Sequence, residues 1–160
     1  MVIYTDGASR GNPGPGGYGA VLQYVDAEGR LYEKEISEGF RFTTNNRMEL
    51  LGVIKGLEAL NFPCEVDIYS DSRYIVDAFE KKWVDSWIKK GWKKADKKDV
   101  PNRELWQELL DELKAKHPIL NNLNIVTNSD AHYLENMREA ENFFELPELT
   151  RENVINCLDN

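Results

Sequence analysis

The sequence predicts an α/β fold in which three antiparallel strands open the chain and helices then alternate with two further strands. Two patterns carry that expectation. Apolar residues recur at a period of two over 18–26 and again from Cys64 to Ser70, and from Met48 they recur at helical spacing. A third observation concerns function: Asp6 interrupts the run Val2-Ile3-Tyr4-Thr5, which otherwise reads as a buried strand. Val2 and Tyr4 share its side, so the carboxylate is expected to rise from a largely apolar face, where it needs a hydrogen-bonding cap, a cationic side chain or a metal ion.

After that strand, the Gly/Pro-rich run 11–17 is expected to turn, since proline removes donors and glycine supplies positive φ. A hairpin follows. Tyr18, Ala20, Leu22 and Tyr24 alternate over 18–26, Glu28-Gly29 marks the second turn, and 30–38 returns as the third strand. Thr43-Thr44-Asn45-Asn46 carries helix-starting chemistry, and Met48, Leu51, Ile54, Leu57 and Leu60 form the apolar stripe of a first helix. Glu49 falls in its opening turn, and Pro63 stops the element. Cys64, Val66, Ile68 and Ser70 alternate as a fourth strand that delivers Asp71 to its C-terminal end, where ligands of α/β sheets gather.

Two short helices are expected over 72–81 and 83–90, then an amphipathic helix after Pro101-Asn102 carrying Leu105, Leu109 and Leu113 and ending near His117-Pro118. A fifth strand over Asn124 to Thr127 and a helix over Leu134 to Phe144 complete the pattern, with a packed tail from Pro147 to 160. No repeat, linker or low-complexity stretch interrupts it, so residues 1–160 are expected to form one domain.

Composition narrows the function. No apolar run reaches the length of a membrane span and the N-terminus has no signal-like pattern, so no membrane partner is expected and the cytoplasm is the expected location. Cys64 and Cys157 lie far apart and in no metal-ligand spacing, which favours buried thiols over a disulfide. The net charge of −8 argues against nucleic acid as a partner, yet it hides a segregation. Eight lysines against Asp85 and Asp96 give residues 81–98 a charge of +6 on an otherwise acidic chain, and Trp83, Trp87 and Trp92 are interleaved with them.

Thr5-Asp6-Gly7, Gly11-Asn12-Pro13-Gly14, Thr44-Asn45-Asn46-Arg47-Met48-Glu49-Leu50 and Ser70-Asp71-Ser72 occur in the order and approximate spacing found in type 1 ribonuclease H. The stretch from Trp83 through Lys89-Lys90-Gly91-Trp92 to Ala95-Asp96-Lys97-Lys98 likewise resembles the basic handle of the bacterial enzymes, here about 81–100. The resemblance covers about residues 1–115. It implies a mixed five-stranded sheet, three antiparallel strands joined by two parallel ones, and a monomer that hydrolyses the RNA strand of RNA–DNA hybrids to 5′-phosphate and 3′-hydroxyl ends.

Asp6, Glu49 and Asp71 suit that chemistry, because three converging carboxylates can share two hard cations with a scissile phosphate. Two Mg²⁺ or Mn²⁺ ions per active site are expected, bridged by Asp6 and held singly by Glu49 and Asp71. Asn12, Asn45 and Asn46 match positions that read the RNA strand across the minor groove, although each could equally form a turn or cap. Thr44 and Arg47 match positions near the DNA phosphate pocket, and Arg73 is expected to add a phosphate contact. Trp83, Lys89, Lys90, Lys93 and Lys94 are expected to meet the DNA strand.

Past residue 120 the chain departs from the family pattern. In the preferred register His132 occupies the loop after strand five and passes a proton or eases product release. Asn142 then stands where the family carries a fourth acid, and a neutral oxygen holds a cation more weakly. A shifted register puts Asp130 and Ala140 at those places, and Glu139 is a third candidate ligand. Two rivals follow: a hybrid-binding module that has lost turnover, and a related nuclease acting on DNA.

Overall fold

The first strand, β1 (Val2–Ser9), lies at the middle of the sheet, between an antiparallel hairpin on one side and a parallel strand on the other. The computed structural model describes residues 1–61, 63–116 and 125–126; the helix expected over Leu134 to Phe144, the tail from Pro147 and Cys157 lie outside them. β2 (Gly14–Val25) and β3 (Leu31–Thr43) complete the antiparallel part, with Asp6 opposite Gly19 and Gly17 opposite Gly39. On the other side β4 (Asp67–Ser70) runs parallel to β1, and β5 (Ile125–Val126), two residues long, runs parallel to β4. The order is β3-β2-β1-β4-β5.

The expected turn over 11–17 is corrected: β2 already begins at Gly14, and the chain reverses between Arg10 and Pro13. The Arg10 N–H donates to the Pro15 carbonyl at 2.7 Å, which closes the reversal early. Glycine is required at Gly14 and Gly16 because backbone approaches closely, a Cβ there lying 1.9 Å from the Arg10 carbonyl oxygen and 2.5 Å from that of Ala8. β3 likewise runs to Thr43 rather than ending at 38, because main-chain pairing of Gly39 and Phe40 with β2 continues it where the side-chain alternation fades.

The side of the hairpin bearing Tyr18, Ala20, Leu22 and Tyr24 is buried as expected, and α1 (Asn45–Glu58) packs on β1 and β2. Two glycines let this helix approach the sheet. A Cβ on Gly56 would meet Ile3 Cγ2 at 2.9 Å, and one on Gly52 would touch Thr5 Cβ at 3.4 Å. Thr44 starts the helix, its hydroxyl accepting the Arg47 N–H at 3.3 Å, and Met48, Leu50, Val53, Ile54 and Leu57 fill its buried sides. Ladder pairing of β4 starts at Asp67, although Cys64 and Val66 before it keep the buried alternation.

α2 (Arg73–Glu80) is capped by Ser72, α3 (Trp83–Lys89) opens the lysine-rich stretch, and α4 (Arg103–Lys116) buries Leu105, Trp106, Leu109 and Leu113 and packs against α1. Trp106 is the hub between body and handle: its ring meets those of Tyr74, Phe79 and Trp87 edge-on, and its Nε1–H donates to the Tyr74 hydroxyl at 2.9 Å. Trp87 and Trp92 pack together beside it, whereas Trp83 stands 39% exposed under the Lys81 ammonium. No described helix is long and apolar enough to cross a membrane.

Candidate active site

Asp6, Glu49 and Asp71 converge, each offering a carboxylate oxygen within 4.8 Å of the other two. Asp6 comes from within β1, Asp71 from the residue after β4, and the parallel pairing of Thr5 with Ser70 brings the end of β4 beside Asp6. Glu49 comes from α1. It lies just past the expected opening turn, since the helix, capped by Thr44, begins at Asn45. The helix can bring Glu49 to the sheet because Gly7 has no side chain: a Cβ there would lie 2.4 Å from the Met48 carbonyl carbon and 2.6 Å from the Glu49 nitrogen.

The expectation of a carboxylate set into an apolar face is corrected for Asp6, which is exposed. Val2 on its side is buried and Tyr4 stacks on Tyr69 at 5.1 Å, but the residue opposite Asp6 is Gly19, which has nothing to cover it. An open depression of about 420 Å³ starts there and crosses Gly17, Gly19 and Val21 to Glu35 and Ser37.

Burial, and then the repulsion of neighbouring carboxylates, raise Glu49 and Asp6. Desolvation, then the charges of Asp71 and Asp6, push Glu49 up to about 8 against a stabilising Gly7 N–H. Desolvation and Asp71 also raise Asp6. Among the described residues, no lysine or arginine forms an ion pair with any of the three. Glu49 Oε2 is buried without a hydrogen-bond partner. Nor is Asp71 the cap of α2, because Ser72 does that work through the Ile75 N–H. Clustered hard oxygen donors, no organic cation and an orphaned buried oxygen fit divalent metal ions.

A second cluster lies where the β1–β2 turn meets the start of α1. Asn45 Oδ1 accepts the Ser9 N–H at 2.6 Å, and the Asn45 N–H donates to Asn12 Oδ1 at 3.2 Å. The structural and the recognition readings of these asparagines are thus compatible, since only their oxygens are used internally. Asn46 is exposed in the first turn of α1. Arg47 is engaged with the start of α4, donating to Asn102 Oδ1 at 3.1 Å and pairing with Glu104, which holds that carboxyl below its usual range. Arg73 is exposed, with Asp77 3.9 Å away.

In the handle, Lys89, Lys90, Lys93 and Lys94 are all exposed, but Lys93 pairs with Asp99. His132 and Asn142, like Glu139, lie outside the described residues. Three further contributors carry little signal in the sequence: Gly7 shows only as part of its motif, Asp99 lies one residue beyond the lysine-rich segment 81–98, and the role of Ser9 depends on a partner 36 residues away.

The family model described as RNase H matches residues 1–138. A ribonuclease H of Lachnoclostridium phytofermentans is 57% identical over 111 residues, 69% of this chain and 70% of that protein. Among solved structures, LC9-RNase H1, a type 1 RNase H with the type 2 active-site motif, superimposes with a TM-score of 0.67 at 29% identity, covering 88% of this chain and 67% of that one. LC11-RNase H1, solved in complex with an RNA/DNA hybrid, gives 0.56 at 29% identity over 79% of this chain and 83% of the other.

Proposed function

Since the chain belongs to the RNase H family, we propose that it is an endoribonuclease that hydrolyses the RNA strand of RNA–DNA hybrids and leaves 5′-phosphate and 3′-hydroxyl ends. The observation that carries this reading is the convergence of Asp6, Glu49 and Asp71 within 4.8 Å with no cationic side chain among the described residues to neutralise them. Asp6, Glu49 and Asp71 would hold two divalent ions, Asp6 as the ligand common to both and Glu49 and Asp71 with one each. When bound, Mg²⁺ or Mn²⁺ supplies activation of the attacking water and charge neutralisation at the leaving 3′ oxygen.

The protein's own contribution is placement. β1 holds one carboxylate along its length and the end of β4 sets a second beside it, and the Gly7 contact brings the third from α1, so the site needs little rearrangement to accept a phosphate. Asn12, Thr44 and Asn45 lie together where the β1–β2 turn meets α1, and we assign Asn12, Asn45 and Asn46 to the minor groove and Thr44 with Arg47 to the neighbourhood of the DNA backbone. Lys89, Lys90, Lys94 and Trp83 face outward on the handle and suit the DNA strand. His132 is assigned proton transfer or product release, and Asn142 a weak fourth ligand.

A strand-specific assay tests the proposal. With Mg²⁺ or Mn²⁺, a hybrid labelled on both strands should lose only its RNA strand, whereas binding without cleavage under both metals would make the chain a hybrid-binding module. Cleavage of the DNA strand would place it with DNA nucleases.

A further inference from the structure

Resting on the assignment of Asn12 and Asn45 to the minor groove, we infer that this pair offers the groove hydrogen-bond donors only, so that the enzyme disfavours G·C pairs at the position the pair faces. Backbone N–H groups donate and never accept. The Ser9 N–H, 2.6 Å from Asn45 Oδ1, therefore fixes which way the Asn45 amide points. The Ser9 hydroxyl, 3.1 Å from the same oxygen and 2.6 Å from the Gly11 carbonyl, tightens that corner. The Asn45 N–H fixes Asn12 in the same manner through its Oδ1 at 3.2 Å.

Both oxygens are thus turned inward, and both residues are exposed. What remains for a ligand is the Nδ2 group of each, which among the described residues has no partner. Every base pair offers an acceptor in the minor groove, at purine N3 or pyrimidine O2, and ribose adds a hydroxyl that accepts as well. Only a pair containing guanine adds a donor, the N2 amino group. Against an amide able to reorient, that amino group would find the Asn oxygen; against these two it meets donors, and one polar group stays unsatisfied. Ser9 is accordingly a positioning residue for substrate discrimination.

Inosine tests this, because it pairs with cytosine yet lacks the N2 amino group. Two hybrids of equal length, with an RNA strand of cytidines against deoxyguanosine or deoxyinosine, are compared for binding in Ca²⁺ and for cleavage in Mg²⁺ or Mn²⁺. The inosine hybrid should bind and be cut roughly fivefold better, the effect of one unsatisfied donor. Asn45→Asp keeps an oxygen for the Ser9 N–H but turns the outward atom into an acceptor, so the gap should close or reverse, with a melting curve confirming that the variant folds. Equal handling of the two hybrids, or the same gap in Asn45→Asp, overturns the inference. Preference in binding without any cleavage would leave it standing and reject the turnover reading; cleavage of the RNA strand without preference does the opposite.

Discussion

A carboxylate oxygen of Glu49 lies within 4.8 Å of one of Asp71, and Glu49 Oε2 is buried without a hydrogen-bond partner. Burial and the two aspartates raise Glu49 to about 8 in the metal-free protein, from about 4.5 when exposed. The folded state then keeps a proton that the unfolded chain has lost, so the stability associated with this group is complete below about pH 4.5 and disappears as pH rises through about 8. In chelator the melting temperature should fall across that window. Adding Mg²⁺ or Mn²⁺ at pH 8 should restore it, and Glu49→Gln should remove both the slope and the restoration. Melting curves at several pH values decide it; a flat metal-free profile would show that Glu49 is already ionised.

Asp6→Asn separates catalysis from folding. Asp6 is exposed, so the swap disturbs little packing, and it removes one of the charges that raise Glu49. Hybrid cleavage should drop by roughly 10³-fold, the scale of losing one electrostatic contributor to a preorganised site. The metal-free melting temperature should hold steady or rise. Cleavage assays and melts on the same preparation check both halves, and retention of activity would remove Asp6 from the site.

Gly7→Ala should damage the site from a distance of one atom. A Cβ at that place falls 2.4 Å from Met48 backbone and 2.6 Å from the Glu49 nitrogen, and backbone cannot swing aside as a flexible side chain would. The start of α1 must move off β1, at a cost of about 1–3 kcal/mol, typical of an overpacked core. Glu49 moves with it, so the concentration of Mg²⁺ needed for half-maximal cleavage should rise together with the loss of stability. Gly29→Ala, where a Cβ meets nothing within 4 Å but φ is +80°, serves as a control that alters stability alone.

Local patterns in the chain foretold much of this arrangement. The alternation of Tyr18, Ala20, Leu22 and Tyr24 and the helical stripes of α1 and α4 each report one neighbour at short range, and the Val2–Thr5 run and the alternation up to Ser70 put Asp6 in a strand and Asp71 at the end of one. Backbone contact is harder to read. Gly14 and Gly16 look like turn residues in a sequence, and only the strand beside them reveals that they are glycine because main chains touch. Pairing is harder still: Arg47 and Lys93 read as available cations, but Glu104 lies 57 residues from the first and Asp99 folds back across a loop to the second. The hub role of Trp106 escaped for the same reason, since its aromatic partners Tyr74, Phe79 and Trp87 come from two other helices.

The pairing of Lys93 with Asp99 yields an unequal prediction for the handle. Among the described residues Lys89, Lys90 and Lys94 have no acidic partner, whereas Lys93 is held by a carboxyl that its hydrogen bond and charge keep below the usual range. Each phosphate neutralised by a lysine contributes about 0.7 to 0.9 to the slope of log affinity against log salt concentration. Replacing Lys89, Lys90 and Lys94 together by alanine should therefore flatten the slope by up to about 2–3, while Lys93→Ala alone should change it by much less. Asp99→Ala tests the opposite direction, because it frees Lys93 to meet the nucleic acid and should steepen the slope by up to about 1. Titrations of hybrid binding between low and moderate salt, in Ca²⁺ to prevent turnover, give all three slopes. An unchanged slope in the triple variant would remove the handle from the binding surface, and a flatter slope in Asp99→Ala would show that the pair, rather than the lone lysine, shapes the contact.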